Sequence, residues 1–531
     1  MIVASNRALL VYLLLVGTCA PKALVCAWPK PFKNNRYARY SRTSAAAAAV
    51  EPDASGRPSF KLDSYPPLLG VVAAMCPKND EWARLALDAT SIRIYRSSGA
   101  QVGLELRSLS LAVQRLVNNG FNTSLPTVLY AHGWLQSGSS DWLRKLRDEY
   151  NAMSQTNESR KFNLLVFDWS EASRKPYPES AAHVPNIALR LSKFFQTLNQ
   201  RHKYNLALHL HLIGYSMGAH IVGATGRHLT AAGLGVRQLT GLDPAGPCFY
   251  TESQFARNFT IGPDAAETVI VRHYNYGLLG ARSPSGHIDV YVNGGIEQPE
   301  SSTNKLFQLI PGASAHASAV IHENRIAFKH ADTCHSVAYG CDSYANFTDG
   351  LCADCNATGC YNIDLFANNN GSVGGGPLLA AHQSNAKPMF IKTGYDQQCL
   401  FHYQLVAQLR PRVPANVASA LRAGRVAFEA GPETAVSTRR ETTCSDGELA
   451  YTVLLTTTRD LSDLSEIKFS YAGSGARLVK SKDFAVVRLN FMSHMDAQVR
   501  HSKSLAFCPS ADGKQDDTLK LCSSPLTGRT C

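Results

Sequence analysis

The pentapeptide Gly214-Tyr-Ser-Met-Gly218 constrains this chain more than any other stretch, because its flanks ask for one particular local shape. Leu206 to Ile213 is an apolar run punctuated by histidines, long enough for a buried strand. Ala219 to Leu229 is a glycine- and alanine-rich stretch suited to a helix packed close against a sheet. Strand, sharp turn and helix together present the Ser216 hydroxyl at the top of an α/β sheet. Such a turn is strained, and glycines on either side of the serine remove side chains that would clash. As a bare pattern G-x-S-x-G is common, and a chance Gly/Ser turn is the competing reading; the flanking segments favour the elbow.

The rest of the chain supplies a sheet for that elbow. Thr127 to Ala131, Leu164 to Trp169 and Leu239 to Leu242 read as further buried strands, with helical patterning over Ile187 to Arg201 between them. Strands alternating with helices imply a mostly parallel sheet covered on both faces. Beyond Cys399 the pattern changes. Tyr403 to Leu409, Ala450 to Thr457, Glu466 to Tyr471 and Phe484 to Phe491 alternate as half-buried strands do, and only Val417 to Arg425 looks helical. A length of 531 residues exceeds one core. The chain therefore reads as an α/β domain over 65–395 followed by an all-β sandwich over 396–531.

The N-terminus carries Arg7, an apolar run from Ala8 to Val16 and small residues ending at Val25-Cys-Ala27. This is the layout of a secretory signal peptide over 1–27, with an apolar run too short to span a bilayer. Residues 28–64, with basic residues, the alanine run 45–49, Pro52 and Pro58, have the composition of a linker or pro-segment. Loss of Cys19 and Cys26 with the leader leaves an even number of the 14 cysteines. Cys341, Cys352, Cys355 and Cys360 could be spaced for zinc, but an exported chain favours disulfides. Sequons begin at Asn122, Asn157, Asn258, Asn346, Asn356 and Asn370, which in an exported chain suggests glycans on surface loops.

The formal charge of +12 falls by two once Arg7 and Lys22 leave. A basic exported protein can meet anionic lipid or sulfated glycans, although the charge is spread rather than gathered in one patch. No nucleic-acid-binding motif accompanies it.

A serine nucleophile needs a base, an acid to orient the base, and donors for the oxyanion. Asp243, 27 residues after Ser216 in Thr240-Gly-Leu-Asp-Pro-Ala-Gly-Pro247, falls at the end of the next strand. An ordinary Asp-Pro turn is the alternative. Tyr130-Ala-His-Gly-Trp134 follows an earlier strand, so the Trp134 and Met217 amides are the expected oxyanion donors, with Gly133 allowing close approach and His132 supporting the loop.

His-Gly-Trp (132–134), Gly-Tyr-Ser-Met-Gly-Ala-His (214–220), Gly-Leu-Asp-Pro-Ala-Gly-Pro (241–247) and Gly-His-Ile-Asp-Val-Tyr-Val-Asn-Gly-Gly (286–295) occur together in that order. In this the chain resembles the pancreatic/lipoprotein lipase family, which includes arthropod neutral lipases and A1 phospholipases, over roughly residues 65–531. The resemblance implies an α/β-hydrolase domain, a C-terminal PLAT β-sandwich entered near Thr393-Gly-Tyr-Asp396, and a secreted serine esterase acting on acylglycerols or phospholipids. It implies lipid contact at an interface, a protein or lipid partner for the C-terminal domain, and no redox cofactor.

The third member of the triad is expected at His316. Ser314-Ala-His316 stands where the family has Cys-x-His after its Q-P segment, here Gln298-Pro299; His335, in Thr-Cys-His-Ser, is second, with His322 and His330 also present. Both lid cysteines are replaced by serine, at Ser301 and Ser314, so the lid over 302–313 carries no disulfide clamp. That lid and the loop Tyr274 to Ser285 are short, as in relatives with phospholipase A1 or broad lipase activity. The segment Gln254 to Asp264 corresponds to a structural calcium loop whose acidic positions are poorly matched, so structural calcium stays open there but is not among the expected cofactors. Family-like disulfides are Cys341–Cys352, Cys355–Cys360 and Cys508–Cys522; pairing among Cys76, Cys248, Cys334, Cys399, Cys444 and Cys531 stays open. A non-catalytic lipase-fold protein that binds or stores lipid is the rival reading.

Overall fold

The protein is described by a computed structural model. It describes Cys76 and residues 93–96, 102–156, 161–250, 258–299, 312–327, 334–352, 355–365, 376–377, 387–397 and 399–409, then mainly strands between 425 and 522. The segments over 1–64 expected to be leader and linker, most of the lid segment, His330, and residues 417–424 of the stretch expected to be helical lie outside the described residues. So do Cys444, Cys531, Asn157 and Asn370. Arg425, the last residue of the stretch expected to be helical, opens a strand over Arg425–Glu429 instead.

Twelve strands form the first sheet: β1 (Arg93–Arg96), β2 (Val102–Glu105), β3 (Thr127–Ala131), β4 (Asn163–Asp168), β5 (Leu210–Tyr215), β6 (Gln238–Leu242), β7 (Thr268–His273), β8 (Ile288–Val292), β9 (Val337–Gly340), β10 (Cys360–Asn362), β11 (Gly376–Pro377) and β12 (Met389–Ile391). Their order is β11-β10-β9-β12-β8-β7-β6-β5-β3-β4-β1-β2. From β4 through β12 the neighbours run parallel, and both edges are antiparallel. The inner strands β3 to β6 are buried along their whole length, which is why they read as continuous apolar runs rather than alternating ones.

Five longer helices cover the sheet: α1 (Leu109–Asn118), α2 (Asp141–Thr156), α3 (Tyr177–His202), α4 (Met217–Ala231) and α5 (Ala313–Ile326). Alternate residues of one strand serve opposite faces. Leu129 and Ala131 of β3 join one apolar cluster with residues of α1, α3 and α4. Val128 and Tyr130 join a second with residues of α2 and α5.

The expected strand over Leu206 to Ile213 is half correct. Residues Leu206–His209 form one helical turn, capped by Asn205, whose side chain accepts from the Leu208 amide at 3.2 Å. The strand begins at Leu210, where burial becomes continuous. Asparagine favours this start because its side-chain oxygen satisfies an amide the turn leaves open.

Beyond residue 400 nine strands, from Phe401–Leu409 to Thr518–Leu521, link into one antiparallel sheet. The all-β half is therefore present, with its strands joined into one hydrogen-bonded sheet. Leu454 and Met492 from this half pack with Val337, Tyr339 and Phe390 of the first. The three family-like disulfides form as expected, and Cys76–Cys248 and Cys334–Cys399 add two pairings that the sequence left open.

Candidate active site

The site sits at the carboxyl ends of β3, β5, β6 and β7. Ser216 lies between β5 and α4 with φ 56 and ψ −121, a backbone conformation that non-glycine residues rarely adopt. Its cost is sustained by the surroundings. The Ser216 amide donates to Leu242 O at 3.0 Å, and a Cβ on Gly218 would lie 2.5 Å from His132 O. The elbow is thus wedged between the ends of β3 and β6, and only glycine fits at 218.

Asp243 follows β6 at φ 43 and is fully buried. Its Oδ1 accepts from the amides of Tyr274 at 2.8 Å and Asn275 at 3.1 Å. Its Oδ2 lies 2.6 Å from His316 Nδ1. Those two amides belong to the loop after β7, which folds back onto the β6 end. Gly246 N donates to Leu279 O at 2.7 Å, and Ala281 N to Pro244 O at 2.8 Å. The first two residues of the Tyr274 to Ser285 loop thus serve Asp243 directly.

His316 lies in the first turn of α5, and its ring packs on that of Tyr215 with centroids 4.9 Å apart. Burial and the nearby Asp243 charge raise the Tyr215 hydroxyl above its ordinary value, so the ring beside the histidine stays neutral. The second-choice histidine is elsewhere: His335 Nδ1 meets Asp364 at 3.1 Å. His322 Nδ1 bonds the Tyr274 hydroxyl at 2.6 Å. Of the described histidine candidates, His316 is the one that Asp243 holds.

The loop expected to supply oxyanion donors is close. A Cβ on Gly133 would stand 3.0 Å from Ser216 Cβ, so the loop backbone rests on the Ser216 side chain. The next residue, Trp134, is fixed by its indole, which donates to Lys175 O at 2.8 Å and meets Tyr177 edge-on. Met217 is the first residue of α4, where the amide has no acceptor within the helix. His132 is fully buried, stacked on Trp169 and bonded through Nδ1 to Gly133 O at 2.9 Å, which makes it a support for this loop. Asp168, 3.2 Å from His132, is held below the usual carboxylate range: burial raises it, and hydrogen bonds from His132 and Ser170 outweigh that.

The segment expected to correspond to a calcium loop holds a cation of the chain's own. Arg227 reaches from α4 and donates to Asn258 O at 3.2 Å, to Thr260 O, and to Asp264 Oδ2 at 2.6 Å. Burial raises the Asp264 carboxyl, and Arg227's hydrogen bond and charge bring it below its ordinary value. In the described part of this segment, two carbonyl oxygens and the Asp264 carboxylate are thus engaged by a guanidinium, which does not suit calcium there. Among the described residues no group of three or more His, Cys, Asp or Glu gathers as a metal site.

Sequence reasoning missed the Tyr274 and Asn275 amides and the Arg227 substitution. Backbone donors carry no residue-type signature, and Arg227 stands in the helix rather than in the loop it fills.

A strained serine between strand and helix, a buried aspartate after the next strand and a histidine held by that aspartate set a class of hydrolase-like α/β proteins. The family model described as Lipase matches residues 78–375, and the chain belongs to that family. It is 31% identical over 310 residues to a lipoprotein lipase of Gallus gallus, covering 55% of this chain and 58% of that one. The lipoprotein lipases of Bos taurus and Homo sapiens are each 28% identical, covering 55% and 54% of this chain and 59% and 58% of theirs. The chain thus spans under two thirds of the length of these relatives.

Proposed function

We propose that the protein is a secreted, glycosylated serine hydrolase that cleaves carboxylic ester bonds of acylglycerols, phospholipids or both. The observation that carries this reading is the 2.6 Å contact of His316 Nδ1 with Asp243 Oδ2 beside the strained Ser216. Ser216 Oγ attacks the ester carbonyl while His316 Nε2 takes its proton. Asp243 keeps the proton on Nδ1 and stabilises the imidazolium. The Trp134 and Met217 amides receive the oxyanion; collapse expels the alcohol, which takes the proton from His316. Water, activated by the same histidine, attacks the acyl-enzyme, releasing the fatty acid and restoring Ser216. None of these steps calls on a metal or redox group.

The similarity to lipoprotein lipases supports a lipid substrate met at an interface. The loop from Tyr274 to Ser285, folded back onto Asp243, supports a site open enough for a polar head group. Secretion rests on the leader-like N-terminus and the disulfides. No helix among the described residues is long and apolar enough to cross a membrane. Asn122 and Asn258 are exposed and Asn346 is half-buried, which suits the first two best for glycans. The C-terminal sheet is assigned to docking on lipid or a protein partner, and the basic charge to contact with anionic lipid or sulfated glycans.

The test is hydrolysis of triolein, phosphatidylcholine and a short-chain ester by the purified chain beside Ser216→Ala and His316→Ala. Loss of activity in both variants is expected. Activity surviving Ser216→Ala would overturn the mechanism. A wild type that cleaves none of the esters would favour a lipid-binding protein of this fold.

A further inference from the structure

Arg272 and Glu323 are both almost wholly buried, and Arg272 Nη1 lies 2.6 Å from Glu323 Oε2. Two further groups of the pair are engaged, while Arg272 Nε has no partner among the described residues. Arg272 Nη2 donates to Ile363 O at 2.6 Å, and the Tyr130 hydroxyl donates to Glu323 Oε1 at 2.8 Å. None of these side chains has a part in the chemistry above. Such a network is not explained by stability, because two charges taken out of water usually gain little over apolar side chains of the same volume.

The placement of its members is more telling. Arg272 is on β7, two residues before the Tyr274 amide that holds Asp243, and its carbonyl accepts from the Asp243 amide at 2.8 Å. Glu323 is on α5, seven residues or about two turns beyond His316, so it shares a face with that histidine. Tyr130 is on β3, two residues before His132 and the oxyanion loop. A second tie runs alongside: Tyr274, whose amide holds Asp243, bonds His322 of α5 through its hydroxyl at 2.6 Å. One buried cluster therefore touches the three elements that present the acid, the base and the oxyanion loop.

We propose that Arg272, Glu323 and Tyr130 are positioning residues, which lock the rotation and height of α5 against β7 and β3 so that His316 meets Asp243 and Ser216 in register. Helix α5 needs such a lock. It starts at Gly312 in the left-handed region and has no side-chain cap, so no capping bond at its N-terminus helps to fix where His316 sits. Apolar packing alone tolerates small sliding, whereas a charge-assisted, directional hydrogen bond does not. An error of about 1 Å in His316 would cost on the order of a hundredfold in rate.

This inference rests on the proposed ester-hydrolase reading, and its test separates the two. The full chain is reacted with a fluorophosphonate, labelling of Ser216 is followed by mass spectrometry, and kcat and KM are measured on a short-chain p-nitrophenyl ester. Arg272→Met/Glu323→Leu removes both charges together and leaves neither buried alone. The expected result is a melting temperature near that of the wild type, with kcat and labelling rate lower by about ten- to a hundredfold and KM within about twofold. Tyr130→Phe, which removes one hydrogen bond and no charge, is expected to slow labelling by about threefold. A double variant that melts and labels like the wild type overturns the proposal. So does one that melts lower but labels at the wild-type rate below its transition. If the double variant does not fold, a wild-type labelling rate in Tyr130→Phe overturns it. A wild type that neither labels nor hydrolyses removes the hydrolase reading itself, and this inference with it.

Discussion

His316 Nδ1 and Asp243 Oδ2 stand 2.6 Å apart, although 73 residues separate them in the chain. The other oxygen of Asp243 is already committed to the amides of Tyr274 and Asn275. The carboxylate therefore has one orientation and one oxygen left for the histidine.

Replacing Asp243 with asparagine tests that arrangement. The two backbone amides would claim the new carbonyl oxygen and turn the side-chain NH2 toward His316 Nδ1. Nδ1 would become an acceptor and Nε2 would carry the proton, the wrong tautomer for a base. We expect kcat to fall about 10³- to 10⁴-fold with KM little changed. A fall of less than tenfold in steady-state assays would refute the assignment.

Gly133→Ala tests the oxyanion loop. The added methyl would stand 3.0 Å from Ser216 Cβ, so loop and elbow must part. Loss of one donor is worth about 10²- to 10³-fold in kcat. Unchanged kcat, measured together with an unchanged melting curve, would mean that the Trp134 amide is not a donor.

Arg227 predicts how the protein responds to chelators. Because its guanidinium already links Asn258 O, Thr260 O and Asp264, excess EDTA should leave the melting temperature unchanged. Arg227→Met should lower it. A clear drop on adding EDTA to the wild type, reversed by calcium, would contradict this account.

Acid should weaken the fold earlier than carboxylate titration alone explains. Burial pushes His211, His220 and His402 down to about 3. Between that value and the ordinary one near 6.5 the unfolded chain binds protons that the folded chain refuses, so stability falls as pH drops. Each histidine contributes a loss of up to about 1.4 kcal/mol per pH unit from about pH 6.5 down to its folded value. Urea midpoints at pH 7.5 and 5.0 check this. The midpoint should be lower at pH 5.0, and His211→Asn should narrow the gap; equal midpoints in the wild type would rule the effect out.

Much of the scaffold was legible from local pattern. Thr127–Ala131 and Phe484–Phe491 are strands over the residues their apolar patterns mark out. Ser216 was legible because an elbow needs glycines in fixed places. His316 was marked out by the family resemblance, through Gln298-Pro299 and Ser314-Ala standing where the family has its Q-P and Cys-x-His segments, rather than through any property of its own. Where local reading failed, at Leu206–His209, a single capping residue outweighed an apolar run.

The Arg272–Glu323 pair marks the boundary between what pattern carries and what it does not. An arginine inside Thr268-Val-Ile-Val-Arg-His is an anomaly visible in the sequence, because a buried strand does not keep a charge without a partner. The partner, 51 residues further on, has no such mark. Glu323 stands in a helix where a glutamate on a solvated face would look the same.

The sequence by itself determined the elements, the elbow and the residue types available for chemistry, because hydrophobic period, glycine placement and capping act over a few neighbouring residues. Only the tertiary structure decided which histidine meets Asp243, which backbone amides hold that carboxylate, and which cation fills the loop before Asp264. Those outcomes depend on distances between strand ends and helices far apart in the chain, and they are set by the packing of the whole sheet.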